Sequence, residues 1–183
     1  GVHAGKPAYF VRLAGCDVGC VWCDVKESWP TEGYPTFTAE EICGWVGQTP
    51  AQLVVITGGE PAMYDCSSIV NSLKSNGYRV HVETSAAYPL RGDYDWICIS
   101  PKKFKQPVAE EMQRANELKV IVFNDSDFDW AEQWAQTVGP DCALLLQAEW
   151  DKRDKVMPKM IDYVKANPHW RICIQTHKII QVP

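Results

Sequence analysis

The chain has 183 residues, 46% of them hydrophobic and 22% charged, with a formal net charge of −5. That length supports one domain with a real core, and that balance excludes a disordered chain. The negative charge argues against a nucleic-acid partner, and no apolar run or leader pattern points to a membrane or an export route, so the expected location is the cytoplasm.

In chain order, AYFVRL (8–13) predicts a first strand, followed by a loop that carries Cys16, Cys20 and Cys23. TAEEICGWVGQ (38–48) predicts a helix opened by Thr38 and Glu41 in capping-box spacing. QLVVIT (52–57) predicts the second strand and runs into TGGEP. DCSSIVNSLKSNG (65–77) predicts a helix that stops at Asn76-Gly77 and feeds a third strand, YRVHVET (78–84). DWICIS (95–100), LKVIVF (118–123), CALLLQA (142–148) and WRICIQT (170–176) complete seven strands. Helices are predicted over 108–117, 127–138 and 152–167, the last with Pro158 and so a late start or a kink.

Most of these strands look apolar on both faces, as in parallel strands covered by helices. Alternating strands and helices make right-handed βαβ units. Seven strands are too few to close an eight-fold barrel, so the expected class is α/β: one domain over 1–183, built as a partial, TIM-like parallel β/α barrel. The chain opens at Gly1 without a methionine, and its natural start is expected upstream. Ligands of such folds sit at the carboxyl ends of the strands. There the chain places the cysteine loop, TGGEP, ETSA, SPKK, QAEW and QTHK, which should ring one mouth.

Of the eight cysteines, Cys43, Cys66, Cys98, Cys142 and Cys173 are expected to pack as reduced thiols in a reducing compartment. The other three are spaced x3 and x2. A structural zinc site normally takes four ligands, and no fourth Cys or His lies in the loop, although His3 and His81 are distant candidates. Three thiolates suit a [4Fe-4S] cluster with one open position. A zinc-binding interaction module is the alternative of a different class.

The C-x3-C-x2-C loop and GGEP together resemble the radical S-adenosylmethionine (SAM) superfamily. That resemblance implies SAM chelating the open iron and being cleaved to methionine and a 5′-deoxyadenosyl radical. More finely, GKPAYFVRLAGCDVGCVWCD, VVITGGEP, VETSA, ISPK, RANELKVIV, LLQAEW and QTHK resemble the 7-carboxy-7-deazaguanine synthase family over nearly the whole chain. The implied reaction converts 6-carboxy-5,6,7,8-tetrahydropterin to 7-carboxy-7-deazaguanine with loss of ammonia, on the way to queuosine and other 7-deazapurines. A radical SAM partial barrel, a homodimer and a flavodoxin- or ferredoxin-type electron donor are also implied. A glycyl-radical activase is the alternative within the superfamily.

Carried over residue by residue, Cys16, Cys20 and Cys23 would hold the cluster. Trp22, Cys23, Asp24, Gly58, Gly59, Glu60, Ala86, Ser100, Pro101 and Lys102 would contact SAM, as would Gln147, Ala148, Glu149 and Trp150. Gly58 and Gly59 would let the backbone approach the ligand, and Glu60 would hold the SAM ammonium. Arg12, Thr84, Gln175, His177, Lys178 and the terminal carboxylate of Pro183 would face the substrate, while Glu83 reads equally as a ligand or a strand-end charge. Two residues depart from the pattern. Val25 stands where the family has a threonine that helps hold Mg²⁺, and Ala86 stands where it commonly has glycine. Further substrate contacts are expected from residues that precede Gly1.

Overall fold

The computed structural model describes residues 1–182, so Pro183 lies outside the described residues. All seven expected strands form: β1 (Tyr9–Leu13), β2 (Leu53–Gly58), β3 (Arg79–Thr84), β4 (Trp96–Ile99), β5 (Glu117–Val122), β6 (Ala143–Ala148) and β7 (Trp170–Cys173). They pair in parallel and in chain order, so β1 and β7 are the two edges of one open sheet. No described helix is long and apolar enough to cross a membrane.

The helices are α1 (Ala39–Trp45), α2 (Ser67–Ser75), α3 (Ala109–Met112), α4 (Ser126–Ala135), α5 (Arg153–Ala166) and α6 (Thr176–Ile180). The capping box of α1 is present: Glu41 N donates to Thr38 Oγ1 at 3.2 Å and Thr38 N to Glu41 Oε2 at 2.7 Å. Three expectations change. α5 starts ahead of Pro158, because the carbonyl that the proline leaves without a helical donor belongs to exposed Asp154. α3 is a single turn, because Asn116 is needed beside β4, where it bonds both the N–H and the C=O of Ile97. β7 stops at Cys173, and α6, which the pattern did not announce, begins at Thr176.

The helix-covered face of the sheet is apolar, and the other face mixes polar residues with Val55, Cys98 and Leu145, which corrects the expectation that most strands are apolar on both faces. Val54, Ile56, Val80, Val82, Ile97, Ile99, Leu118, Val120, Val122, Leu146 and Trp170 alternate onto the helix-covered face and form the core with helix residues such as Leu73, Ala131 and Met160. The register puts the other alternate residues side by side on the concave face. Arg12 lies abreast of Thr57, and Glu83, Cys98 and Glu117 lie abreast across β3, β4 and β5. Cys98 thus meets a polar interior: its Sγ donates to Glu117 Oε1 at 3.6 Å.

Residues 1–3 plug the lower end of this concave face. The His3 ring sits 4.6 Å from His81 and 4.7 Å from Trp96, and Glu117 Oε2 accepts from both Val2 N and Trp96 Nε1. His3 and His81 therefore belong to a plug, away from the cysteine loop at the other end of the strands. His81 is 5% exposed, and burial, with His3 and Arg79 nearby, pushes its pKa down to about 4. Between pH 6.5 and pH 4 the unfolded chain takes up a proton here that the folded chain refuses, so this contribution falls as pH falls. It amounts to at most about 3 kcal/mol. Urea unfolding at those two pH values should show that extra loss in the parent and not in His81→Phe; equal losses would exclude it.

Candidate functional site

The mouth is knitted together by contacts between loops that follow different strands. The GGEP loop after β2 packs against the cysteine loop after β1: Gly59 N donates to Leu13 O and Glu60 N to Gly15 O, both at 2.8 Å. A Cβ on Gly58 (φ 141°) would sit 2.1 Å from Leu13 O, and one on Gly59 would sit 2.1 Å from Gly15 O. These glycines are required for the approach of one loop to the other, a role that motif reading alone assigned to the ligand.

Glu60 is 1% exposed and joins this pair of loops to a third. Its carboxylate accepts from Ala62 N at 2.9 Å, from Ser85 N at 2.8 Å, and from the hydroxyls of Thr84 and Ser85. Thr84 is itself 5% exposed and accepts from Ala86 N at 2.9 Å, which pins Ala86 at φ 55° with no exposed surface. A left-handed alanine costs about 1–2 kcal/mol, which is the physical reason that glycine suits this position. Thr84 lies on the helix-covered side of β3, abreast of buried Ile99. Glu83, its neighbour, is the residue that ETSA presents to the concave face.

The ring continues through the later strands. Ser100 N donates to Thr84 O at 2.8 Å, and Ser100 Oγ accepts from Lys102 Nζ at 2.6 Å. Lys102 Nζ lies 5.2 Å from the Trp22 ring, and Trp22, Pro101 and Lys102 share a cavity of about 200 Å³. Glu149, 8% exposed, caps the turn at Trp150–Lys152 through Asp151 N and Lys152 N. Trp150 is flanked by the cations of Arg153 at 4.4 Å and Lys178 at 5.1 Å. Gln147 Oε1 accepts from Cys173 Sγ at 3.4 Å, with Ala148 buried beside it.

The C-terminal QTHK segment folds back onto the cysteine loop. Asp24 Oδ2 accepts from Lys178 Nζ at 2.6 Å and from Gln175 Nε2 at 3.3 Å. Burial opposes the charged form of Asp24, but Lys178 outweighs it and holds the carboxyl below its usual range. His177 is exposed; partial burial and then Lys178 lower its pKa, and Asp24, Glu83 and Arg12 all lie within electrostatic reach of it. A second strap, absent from the motif reading, joins Asp17 to Tyr88 and to Lys105 Nζ at 2.8 Å. Arg12 is exposed at the end of β1 and lines a larger cavity of about 920 Å³ along that edge, beside Phe37, Trp45 and Tyr64.

Cys16, Cys20 and Cys23 pack in one small cluster with Val18, Trp22 and Ala87. All eight cysteines are free thiols, and burial pushes Cys20 up to about 11 and raises Cys16. Neighbouring cysteines raise both further, and a bound cation is what would draw Cys16 and Cys20 to thiolates. Among the described residues, no three His, Cys, Asp or Glu side chains stand close enough together to hold a metal ion as they lie. The donor set itself, three soft sulfurs on one short loop, fits an iron–sulfur cluster.

An open seven-stranded parallel sheet with a three-cysteine loop after β1 and GGEP after β2 defines a partial barrel of the radical SAM type. The crystal structure of QueE from Escherichia coli superposes with a TM-score of 0.83 at 28% identity, covering 96% of this chain and 88% of that one. 7-Carboxy-7-deazaguanine synthases from Flavobacterium psychrophilum and Synechocystis sp. are each 47% identical, over 183 and 182 residues, covering all of this chain and 87% of theirs. No family model matches the sequence. The chain belongs to the 7-carboxy-7-deazaguanine synthase family.

The Gly58–Gly59 packing has a direct test. Gly59→Ala should cost on the order of 1–3 kcal/mol by overpacking. It should also displace the cysteine loop, so that iron bound after anaerobic reconstitution falls well below the parent's. Parent-like iron content and thermal stability would exclude the role.

Proposed function

We propose that the protein converts 6-carboxy-5,6,7,8-tetrahydropterin to 7-carboxy-7-deazaguanine with release of ammonia. Kinship carries this reading: a synthase of that name is 47% identical to this chain over its full length. The net change removes the elements of ammonia and needs no external oxidant. The protein's task is therefore to hold a polar bicycle with one carboxylate in a fixed pose and to keep bulk water from the reacting atoms.

Cys16, Cys20 and Cys23 would hold a [4Fe-4S] cluster, with SAM at its open position. When bound, these groups supply one-electron reductive cleavage of SAM. Trp22, Pro101 and Lys102 would form the wall on the SAM side, and Ser100 would orient Lys102. Asp24 and Trp150 would bridge that wall to the QTHK segment. Glu60 would act through Thr84, Ser85 and Ala86, whose positions its buried carboxylate sets.

Arg12 would receive the substrate carboxylate, since a guanidinium matches it in two parallel bonds. Gln175, His177 and Lys178 would close over the substrate from the opposite sheet edge, and Pro183 lies outside the described residues. An electron donor of the flavodoxin or ferredoxin type and a homodimer belong to the same proposal.

Magnesium needs oxygen ligands, and the Val25 side chain has none. The Val25 carbonyl is also taken, accepting from Ser28 N at 2.9 Å and Ser28 Oγ at 2.7 Å. Turnover without Mg²⁺ is part of the same proposal; Mg²⁺ held through substrate, water or another oxygen is the alternative.

Anaerobic incubation of reconstituted enzyme with dithionite, SAM and the carboxy-pterin should yield a product of the mass of 7-carboxy-7-deazaguanine, and no such product would sink the reading. The rate should persist in EDTA; a collapse reversed by Mg²⁺ would overturn the magnesium claim alone. Arg12→Lys should lower kcat/KM for the pterin by on the order of tenfold to a hundredfold, corresponding to loss of a charged, bidentate contact. A parent-like kcat/KM would remove Arg12 from the substrate site.

A further inference from the structure

The concave face carries an ion pair that the motifs do not account for. Lys119, in the middle of β5, donates from Nζ to Glu83 Oε2 at 2.6 Å, reaching past β4 to the end of β3. The two partners are unequally sunk: the Lys119 side chain is 11% exposed and that of Glu83 is 41%. Glu83 Oε1 carries no protein hydrogen bond among the described residues. The cation is thus the buried partner, and the more exposed carboxylate keeps one oxygen free of protein donors among the described residues.

Packing does not call for this lysine. Leu145 lies directly abreast of it in β6, and its chain neighbours Leu118 and Val120 are fully buried on the other face. Lysine is almost never buried unless paired, and an apolar side chain usually replaces a buried ion pair without loss of stability. Burial alone would favour the neutral amine, but the charge and hydrogen bond of Glu83 outweigh it and hold Lys119 charged. Lys119 in turn is the largest influence that keeps Glu83 ionised, with Lys102 adding to it.

We infer that Lys119 is a positioning residue for the pterin reaction, holding the Glu83 carboxylate fixed and facing the mouth. The inference rests on the proposed pterin substrate. That ring system is rich in N–H donors, and an oriented carboxylate with a free oxygen is the acceptor that suits them. Glu83 lies abreast of Cys98, in the sheet layer to which Arg12 and Thr57 also belong, so a bicycle whose carboxylate is on Arg12 meets it from one side.

The test compares Lys119→Met, Lys119→Arg, Glu83→Gln and the double variant Lys119→Met/Glu83→Gln as reconstituted enzymes. Two readouts are taken: kcat and KM for the pterin, and SAM cleavage without pterin. Lys119→Met should lose on the order of tenfold to a hundredfold in kcat/KM for the pterin. Its pterin-free SAM cleavage should stay within about twofold of the parent, because the cysteine loop is not disturbed. Lys119→Arg should recover to within about fivefold of the parent, and the double variant should be no worse than Glu83→Gln, since the lysine acts through the glutamate. The double variant removes both charges, so it reports even if Lys119→Met fails to fold. Parent-like kcat/KM in Lys119→Met, parallel loss of both readouts, or a double variant far below Glu83→Gln would each overturn the inference. A parent that does not convert the pterin would overturn the functional reading and the inference with it, whereas a working parent with an indifferent Lys119 would overturn the inference alone.

Discussion

A carboxylate that is 1% exposed needs full compensation, since moving a charge out of water costs several kcal/mol even after relaxation. Glu60 finds that compensation in two backbone N–H groups and two hydroxyls, drawn from its own turn and from the loop after β3. None of these donors can move far without stranding the charge. Gly58 and Gly59 sit immediately before it and press against Leu13 and Gly15 with no room for a methyl group. The loops after β1, β2 and β3 are therefore one unit, and the cysteine loop takes its place from that unit.

The rest of the mouth is built on the same unit by softer links. The C-terminal segment reaches the cysteine loop through Lys178 and Asp24, and the loop after β4 reaches it through Lys105 and Asp17. These pairs are partly exposed and each contributes little to stability. Their effect is geometric: they bring the ends of β1, β4 and β7 around one opening in a sheet that does not close. On the concave face of this open sheet the chain keeps Arg12, Thr57, Glu83, Lys119 and Gln147 beside Val55 and Leu145, in place of the layered apolar interior of a closed barrel.

Much of this was legible in the residues. The seven strands follow from short β-rich runs between helical patterns, and the parallel order follows from the crossovers. The thiol loop stood out because three cysteines within eight residues have few explanations. Less legible was which residue of a motif points where. VETSA contains both Glu83 and Thr84, and only the pairing of Glu83 with Cys98 and of Thr84 with Ile99 shows which faces the mouth. A signal was available: Lys119 stands between Leu118 and Val120 inside β5, and a lysine is rarely buried there without a partner.

Local chemistry by itself determined the class of fold, the position of the mouth at the strand ends and the crowding of three cysteines in one loop there, because periodicity and spacing are properties of the chain. Long-range contact decided the remainder. A motif shows that Glu60 is acidic, but only packing shows that its carboxylate is occupied by donors 24 and 25 residues away. Likewise, Ala86 is an ordinary alanine in the sequence and a left-handed one in the fold, because Thr84 and Glu60 hold it there. Partners so far apart meet only once the sheet has formed, and for that reason the tertiary structure alone assigns them.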